Sequence, residues 1–267
     1  MKKFELTSET KINIFGKKLF RIKALISFGN VEAGETGGWV EKEENVNQSG
    51  DAWVSGNAEV YGNAEVSGNA RVSGNARVSG DAWVSGNAMV SGNAMVSGNA
   101  EVSGNAEVSG NAEVSGDAWV YGNAMVYGNA EVSGNAEVSG DAEVSGDAEV
   151  SGNAEVSGDA RVSGNAEVSG NAEVSGNAEV YGNAEVYGNA EVSGNADYTT
   201  IRGFGTQFRT TTFFRCKDKQ VKVSCGCFYG TIPEFREQVK NTRKGKIAEE
   251  YLMIADLMEK HFAEEAK

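Results

Sequence analysis

The sequence predicts a mainly β fold: a solenoid of short parallel strands with a small domain at each end. Three observations carry this. Residues 51–196 repeat one six-residue phrase, seen cleanly at Asn63-Ala64-Glu65-Val66-Ser67-Gly68, and a fixed short period takes precedence over local propensity. Within the phrase Ala and Val stand two apart, so on a strand they share one side, with the intervening Glu and the following Ser or Tyr on the other. Each phrase is punctuated by Gly-Asn or Gly-Asp, a pair that tolerates left-handed backbone and can turn a corner. No Pro interrupts the repeat, as continuous backbone ladders require.

A strand with a corner every six residues closes into a flat-sided coil. The aliphatic residue followed four places on by a small one, as in Val54 and Ala58, resembles the hexapeptide-repeat family. That resemblance covers residues 51–196. It implies three hexads per triangular coil of 18 residues, wound as a left-handed parallel β-helix. The repeat holds 25 Ala positions and so about eight coils. At roughly 4.8 Å per coil the prism is about 40 Å long. Its core is thin, and its stability rests on identical neighbours stacked in register.

Residues 1–50 read as an N-terminal cap. Ile12 and Ile14 alternate, Gly16-Lys17 can turn, and Leu19 to Leu25 completes a β-hairpin. Residues 28–50 read as a degenerate first coil, with Gly34, Gly37 and Gly38 crowded around Trp39 and with Val40 and Val46 on the Ala line. A solenoid end exposes unpaired strand edges and needs such a cap. The alternative is a partner-binding head.

Residues 197–267 read as a C-terminal α+β module. Gln207 to Cys216 and Val221 to Phe228 are strand-like, with Val221, Val223, Cys225 and Cys227 on one face. Thr231-Ile232-Pro233-Glu234 is a capping box that starts a helix running to about Lys240. A second helix runs from about Lys246 to Ala263, with Ile247, Tyr251, Ile254, Leu257, Met258 and Phe262 at helical spacing against the sheet. Gly226-Cys227-Phe228 and the Tyr251-Leu252-Met253 helix resemble C-terminal modules of phage and prophage repeat proteins.

Charge is uneven. Residues 51–196 carry 21 acidic and three basic side chains, whereas the whole chain has a net charge of −14. An acidic solenoid argues against nucleic acid along its surface, since phosphate needs Lys and Arg. Three Cys argue against a disulfide framework. Met1-Lys2-Lys3 is not followed by an apolar run and no stretch is long enough to span a membrane, so a cytoplasmic location is expected.

Stepping 18 residues without insertions sorts the outward positions onto three faces. The first holds Trp53, Arg71, Met89 and Met125, the second Met95 followed by Glu113, Glu131, Glu149, Glu167 and Glu185, and the third Trp83 and Trp119. Trp53, Trp83, Met89, Met95, Trp119 and Met125, with Tyr61, Tyr121 and Tyr127, all fall at or before residue 127. Such a cluster suggests an interface, and the family resemblance implies a trimer of parallel prisms. Tolerated drift in a duplicating sequence is the plain alternative. The Glu113–Glu185 row forms an acidic ladder, either solvated and splayed or covered by a cation or a basic partner. Calcium suits oxygen ligands, but a single-file row lacks converging ones, so no metal is expected.

Many hexapeptide-repeat proteins are coenzyme A-dependent acyltransferases that deprotonate the acceptor with a His beside the coil, and others are zinc carbonic anhydrases with several His. This chain has one His, His261, outside the repeat. Acyl transfer needs a base near neutral pKa, so no catalytic residue and no cofactor are expected. Cys216, Cys225 and Cys227 with His261 do not have a usual structural zinc spacing and read as thiols packed against the second helix. Arg202, Arg209, Arg215, Lys217, Lys219 and Lys222 make the C-terminal strands positive, either as a solvated face or as a seat for an acidic ligand. The expectation is a non-enzymatic, acidic, rigid spacer or protein-interaction scaffold of phage or prophage derivation, with a hexapeptide-repeat acyltransferase-like protein and an acidic decoy of a basic host protein as the alternatives.

Overall fold

The computed structural model describes residues 2–263, so Met1 and the last four residues of the C-terminal module lie outside it. Twenty-four two-residue strands, β4 (Trp53–Val54) to β27 (Glu191–Val192), recur every six residues. Strands 18 residues apart pair in parallel, as in Glu113↔Glu131 and Val114↔Val132. They build three walls, each with eight repeat strands. The three outward rows are those the 18-residue step assigns. The Val of each strand and the Ala before it, from Ala52 to Val192, are buried along the axis in one continuous core.

A backbone ladder joins successive turns. Glu113 N–H donates to Ala130 O at 2.9 Å and Ser115 N–H to Val132 O at 2.9 Å, both towards the next turn. The corners require glycine. At Gly110 φ is +72°, and a Cβ there would lie 2.9 Å from Gly128 O, so both the torsion and the space exclude a side chain. Outside each corner the Asn side chains form a second ladder, such as Asn111 Nδ2 to Asn129 Oδ1 at 2.9 Å and Asn129 Nδ2 to Asp147 Oδ1 at 2.8 Å. An Asp accepts but cannot donate, so this run stops at Asp147.

The N-terminal end is a hairpin of β1 (Phe4–Ile12) and β2 (Lys18–Ala24) that continues into β3 (Thr36–Val40). Strand β3 pairs in parallel with the second wall, Val40 opposite Val60, and Val46 bridges to Val66. These offsets are 20, not 18, so Val40 and Val46 lie on the Val line and not on the Ala line expected from the sequence. Two extra residues at the corner before Gly50 cause the shift, and with this irregular first turn the solenoid has about nine turns. The extra corner has a use. Gln48 Oε1 accepts from Lys3 N–H at 2.7 Å, and Gln48 Nε2 donates to Phe4 O at 3.2 Å, pinning β1 across the end of the prism.

The C-terminal end is closed by an antiparallel sheet, β28 (Tyr198–Phe204), β29 (Arg209–Arg215), β30 (Val221–Cys225) and β31 (Phe228–Thr231), in that order. Tyr198, Phe214 and Cys216 join the solenoid core. Phe213 and Val223 point the other way, to helices α1 (Ile232–Thr242) and α2 (Gly245–His261). The capping box forms: Glu234 N–H donates to Thr231 Oγ1 at 3.4 Å and Thr231 N–H to Glu234 Oε2 at 2.7 Å. Of the expected α2 face, Tyr251, Ile254, Met258 and Phe262 are buried, but Leu257 is exposed, with Ala255 buried in its stead. Among the described residues no helix is long and apolar enough to cross a membrane.

Candidate interaction surface

The sequence-selected aromatic and Met positions divide into two groups. Trp53 is not outward: it is 2% exposed, seated under the N-terminal cap with its ring centroid 5.5 Å from that of Phe28 and 6.2 Å from that of Phe4. Gly37 makes the room, since a Cβ there would lie 2.6 Å from Trp53 Cζ2. Trp53 is therefore corrected from an interface position to a core residue. Tyr61 is likewise covered, by Leu19 and Trp39.

Trp83, Trp119 and Met89 remain in the open at 48%, 52% and 44% exposure, Tyr127 is exposed, and Met95, Tyr121 and Met125 are half-buried. Trp83 and Met89 flank the corner between the third wall and the first. Trp119 and Met125 flank the same corner two turns on, with Glu101 and Glu107 between the two pairs. The turn spacing places the pairs about 10 Å apart along one edge of the prism. Met95 stands on the second wall, away from this edge. The rings are held: Trp83 Nε1–H donates to Ser67 Oγ at 3.0 Å, Tyr127 O–H donates to Glu143 Oε2 at 3.2 Å, and Tyr121 O–H donates to Glu137. The edge is thus a rigid alternation of apolar and acidic side chains.

The acidic ladder is in register, Glu113, Glu131, Glu149, Glu167 and Glu185 on successive strands. Partial burial raises the Glu167 pKa, and the charges of Glu149 and Glu185 add to the rise. A second row, Glu137, Glu155, Glu173 and Glu191, lines the third wall. Burial and then the charges of Glu137 and Glu173 raise the Glu155 pKa, against a lowering pull from Lys217. Glu185 is not free, because Ser224 Oγ–H donates to its Oε2 at 2.6 Å from the C-terminal sheet. That contact has no trace in the repeat pattern, since nothing in the phrase distinguishes its last copies. Among the described residues, no three His, Cys, Asp or Glu side chains are placed to share a metal ion.

The three Cys do not converge. Cys216 is buried at the solenoid end, where burial pushes its pKa up to about 11. Cys225 packs on the helix side, and Cys227 is exposed on the Gly226-Cys227 turn. The expectation that all three pack against the second helix holds for Cys225 alone.

Residues 64–80, 70–86, 82–98 and 118–134 match a family model described as YdcK Beta solenoid repeat. No curated protein matches the chain. The matched segments lie within the stacked turns, and together they make the chain a repeat β-solenoid protein.

Proposed function

We propose that the protein is a non-enzymatic, rigid, acidic spacer and interaction scaffold of phage or prophage origin, acting in the cytoplasm and assembling as a trimer. The observation that carries this reading is the edge bearing Trp83, Met89, Trp119 and Met125. Two indoles and the Met89 thioether stay exposed there and Met125 is half-buried, while Trp53 and Tyr61 are covered by the chain's own cap. Exposed Trp and Met on an otherwise polar wall fit a surface that is buried on association. The closed ends support the spacer role, because each terminal turn is covered by the chain itself and length is set by repeat number. Light scattering after gel filtration is expected to give three times the 28.1 kDa chain mass. A Trp83→Ala, Trp119→Ala double variant is expected to fall to the monomer mass. A monomeric wild type, or a trimer indifferent to both substitutions, would refute the assembly.

A second reading is an acidic decoy for a basic protein, favoured by the two carboxylate rows on the second and third walls. Its mark is a partner captured from lysate at low salt and released as salt rises. Acyl transfer is the enzyme alternative, and the absence of His from the repeat weighs against it; saturable coenzyme A binding would revive it.

A further inference from the structure

The C-terminal module contains a cavity of about 190 Å³ between the β28–β29 turn, β30 and the start of α2. Arg209, Arg243, Cys225, Tyr251 and Gln207 line it, and no carboxylate does. Both guanidinium groups lack a carboxylate partner among the described residues: Arg209 Nη2 donates to the Gln207 amide oxygen at 2.8 Å and Arg243 Nη1 only grazes Thr242 O at 3.4 Å. In a chain of net charge −14, two cations facing one cavity without a carboxylate stand out against an abundance of acidic side chains. They also act on the same hydroxyl. Burial raises the Tyr251 pKa, the neighbouring Cys225 adds to the rise, and the charges of Arg243 and Arg209 oppose it.

The backbone is shaped around these groups. A Cβ at Gly205 would lie 2.5 Å from the Tyr251 hydroxyl oxygen, and one at Gly226 would lie 2.2 Å from Arg209 Nη1. Both turns therefore accommodate the side chains that face the cavity. A second space of about 80 Å³ shares Arg209, Arg243, Cys225 and Tyr251 and adds the apolar Phe228 and Phe235.

We propose that this cavity binds a small oxyanion, a phosphate group, held by the Arg209 and Arg243 guanidinium groups beside the Tyr251 ring, whose hydroxyl donates to Phe204 O at 3.3 Å. Planar guanidinium forks match phosphate geometry, and the adjoining apolar space suits the organic part of a phosphate monoester. The site is independent of the assembly proposed above.

Calorimetric titration of the full chain at low ionic strength tests it, with inorganic phosphate in one arm and phenyl phosphate in the other. Saturable binding is expected, weakened at least about tenfold by Arg209→Gln or Arg243→Gln, each of which removes a charge-assisted hydrogen-bond donor. Arg161→Gln, on the solenoid wall, is expected to leave it unchanged. Gly226→Ala, which crowds Arg209, should weaken binding with both Arg side chains present. Tighter binding of phenyl phosphate would assign the source to an organic monoester, and equal binding to free phosphate. No saturable binding in either arm, or binding indifferent to both Arg variants while their circular dichroism matches wild type, would overturn the proposal.

Discussion

Trp53 and Trp83 occupy the same slot of the six-residue phrase and have opposite fates. Trp53 lies at the end of the first wall, where Phe4, Phe28 and the notch at Gly37 enclose it; Trp83 stands five strands on, second from the N-terminal end of the third wall, and stays open. The energetics should differ accordingly. Trp53→Ala removes a buried ring and is expected to cost about 3–5 kcal/mol, read as a lower urea midpoint for unfolding of the N-terminal end. Trp53→Phe keeps a ring against Phe28 and should lose less. Neither change should alter the mass in solution, in contrast to Trp83→Ala with Trp119→Ala. Equal and negligible losses for both Trp53 variants would show that the cap does not depend on this ring. The sequence placed the repeat Ala and Val from Ala52 to Val192 correctly because period alone decides their side of the strand, whereas Ala196, past the last strand, is exposed. It misplaced Trp53 because the period is blind to what lies beyond the last turn.

At the scale of elements, the bonds made by the Asn, Glu and Ser N–H groups of each repeat make the two ends chemically different. These N–H groups donate to the next turn, so the first turn is left with the carbonyls that would accept from a preceding turn and the last turn with the N–H groups that would donate to a following one. The caps match. Lys3 Nζ donates to Ala52 O at 2.9 Å and Gly50 O at 3.2 Å, and Asn45 Nδ2 donates to Ala64 O at 2.8 Å. At the other end Asn195 Oδ1 accepts from Glu179 N–H at 2.8 Å and Thr212 Oγ1 accepts from Glu185 N–H at 3.0 Å. Donors close one end and acceptors the other, as buried backbone groups demand. These partners were illegible in the sequence, because they depend on the two-residue insertion around Gln48 and on β28, whose Tyr-Thr-Thr-Ile run follows the last repeat without a turn signal. The hairpin of β30 and β31 read as one strand because its Gly226-Cys227 turn is so short. The capping box of α1 was legible because its signal is local. The ends should also respond oppositely to alkali. Burial lowers the Lys3 pKa to about 8 from 10.5, against a raising pull from Asp51. Between those values the unfolded chain holds a proton that the folded chain has released, so the N-terminal cap gains stability as pH rises. Cys216 is the reverse: with its pKa raised from 9.0 to about 11, stability at the C-terminal end falls as pH rises through that window. Hydrogen exchange, corrected for its intrinsic pH dependence, should show β1 better protected at pH 10 than at pH 8 and β29 less protected. Lys3→Met should abolish the first trend; a trend in β1 that survives it would assign the effect elsewhere.

The whole molecule sets a thin apolar core against two stacked rows of like charge. Adjacent carboxylates one turn apart repel by roughly 1 kcal/mol in a water-like dielectric, and the repulsion recurs along Glu113–Glu185 and Glu137–Glu191. Its imprint is the raised pKa of Glu155 and Glu167, in each case led by burial and reinforced by both neighbours in the row. A carboxyl whose folded pKa is raised favours the folded state when protonated, and that advantage is lost as pH rises through the folded value. Mild acidification from neutral pH towards the carboxylate range is therefore expected to stabilise the solenoid. The gain ends at lower pH, where Glu41, Glu234 and Glu259, held below the usual range by the Gly62 N–H, by Thr231 and by Arg236, take up protons. These three contribute stability above their unfolded pKa and lose it below. A thermal melt should thus peak at mildly acidic pH. Added sodium chloride should raise the neutral-pH midpoint by screening the rows, with a smaller effect near the peak. Glu155→Gln combined with Glu167→Gln should raise the neutral midpoint and flatten its rise on acidification. A wild-type midpoint that falls steadily from pH 7.5 to pH 5, with no response to salt, would mean that the rows are fully splayed into solvent and exert no strain on the stack.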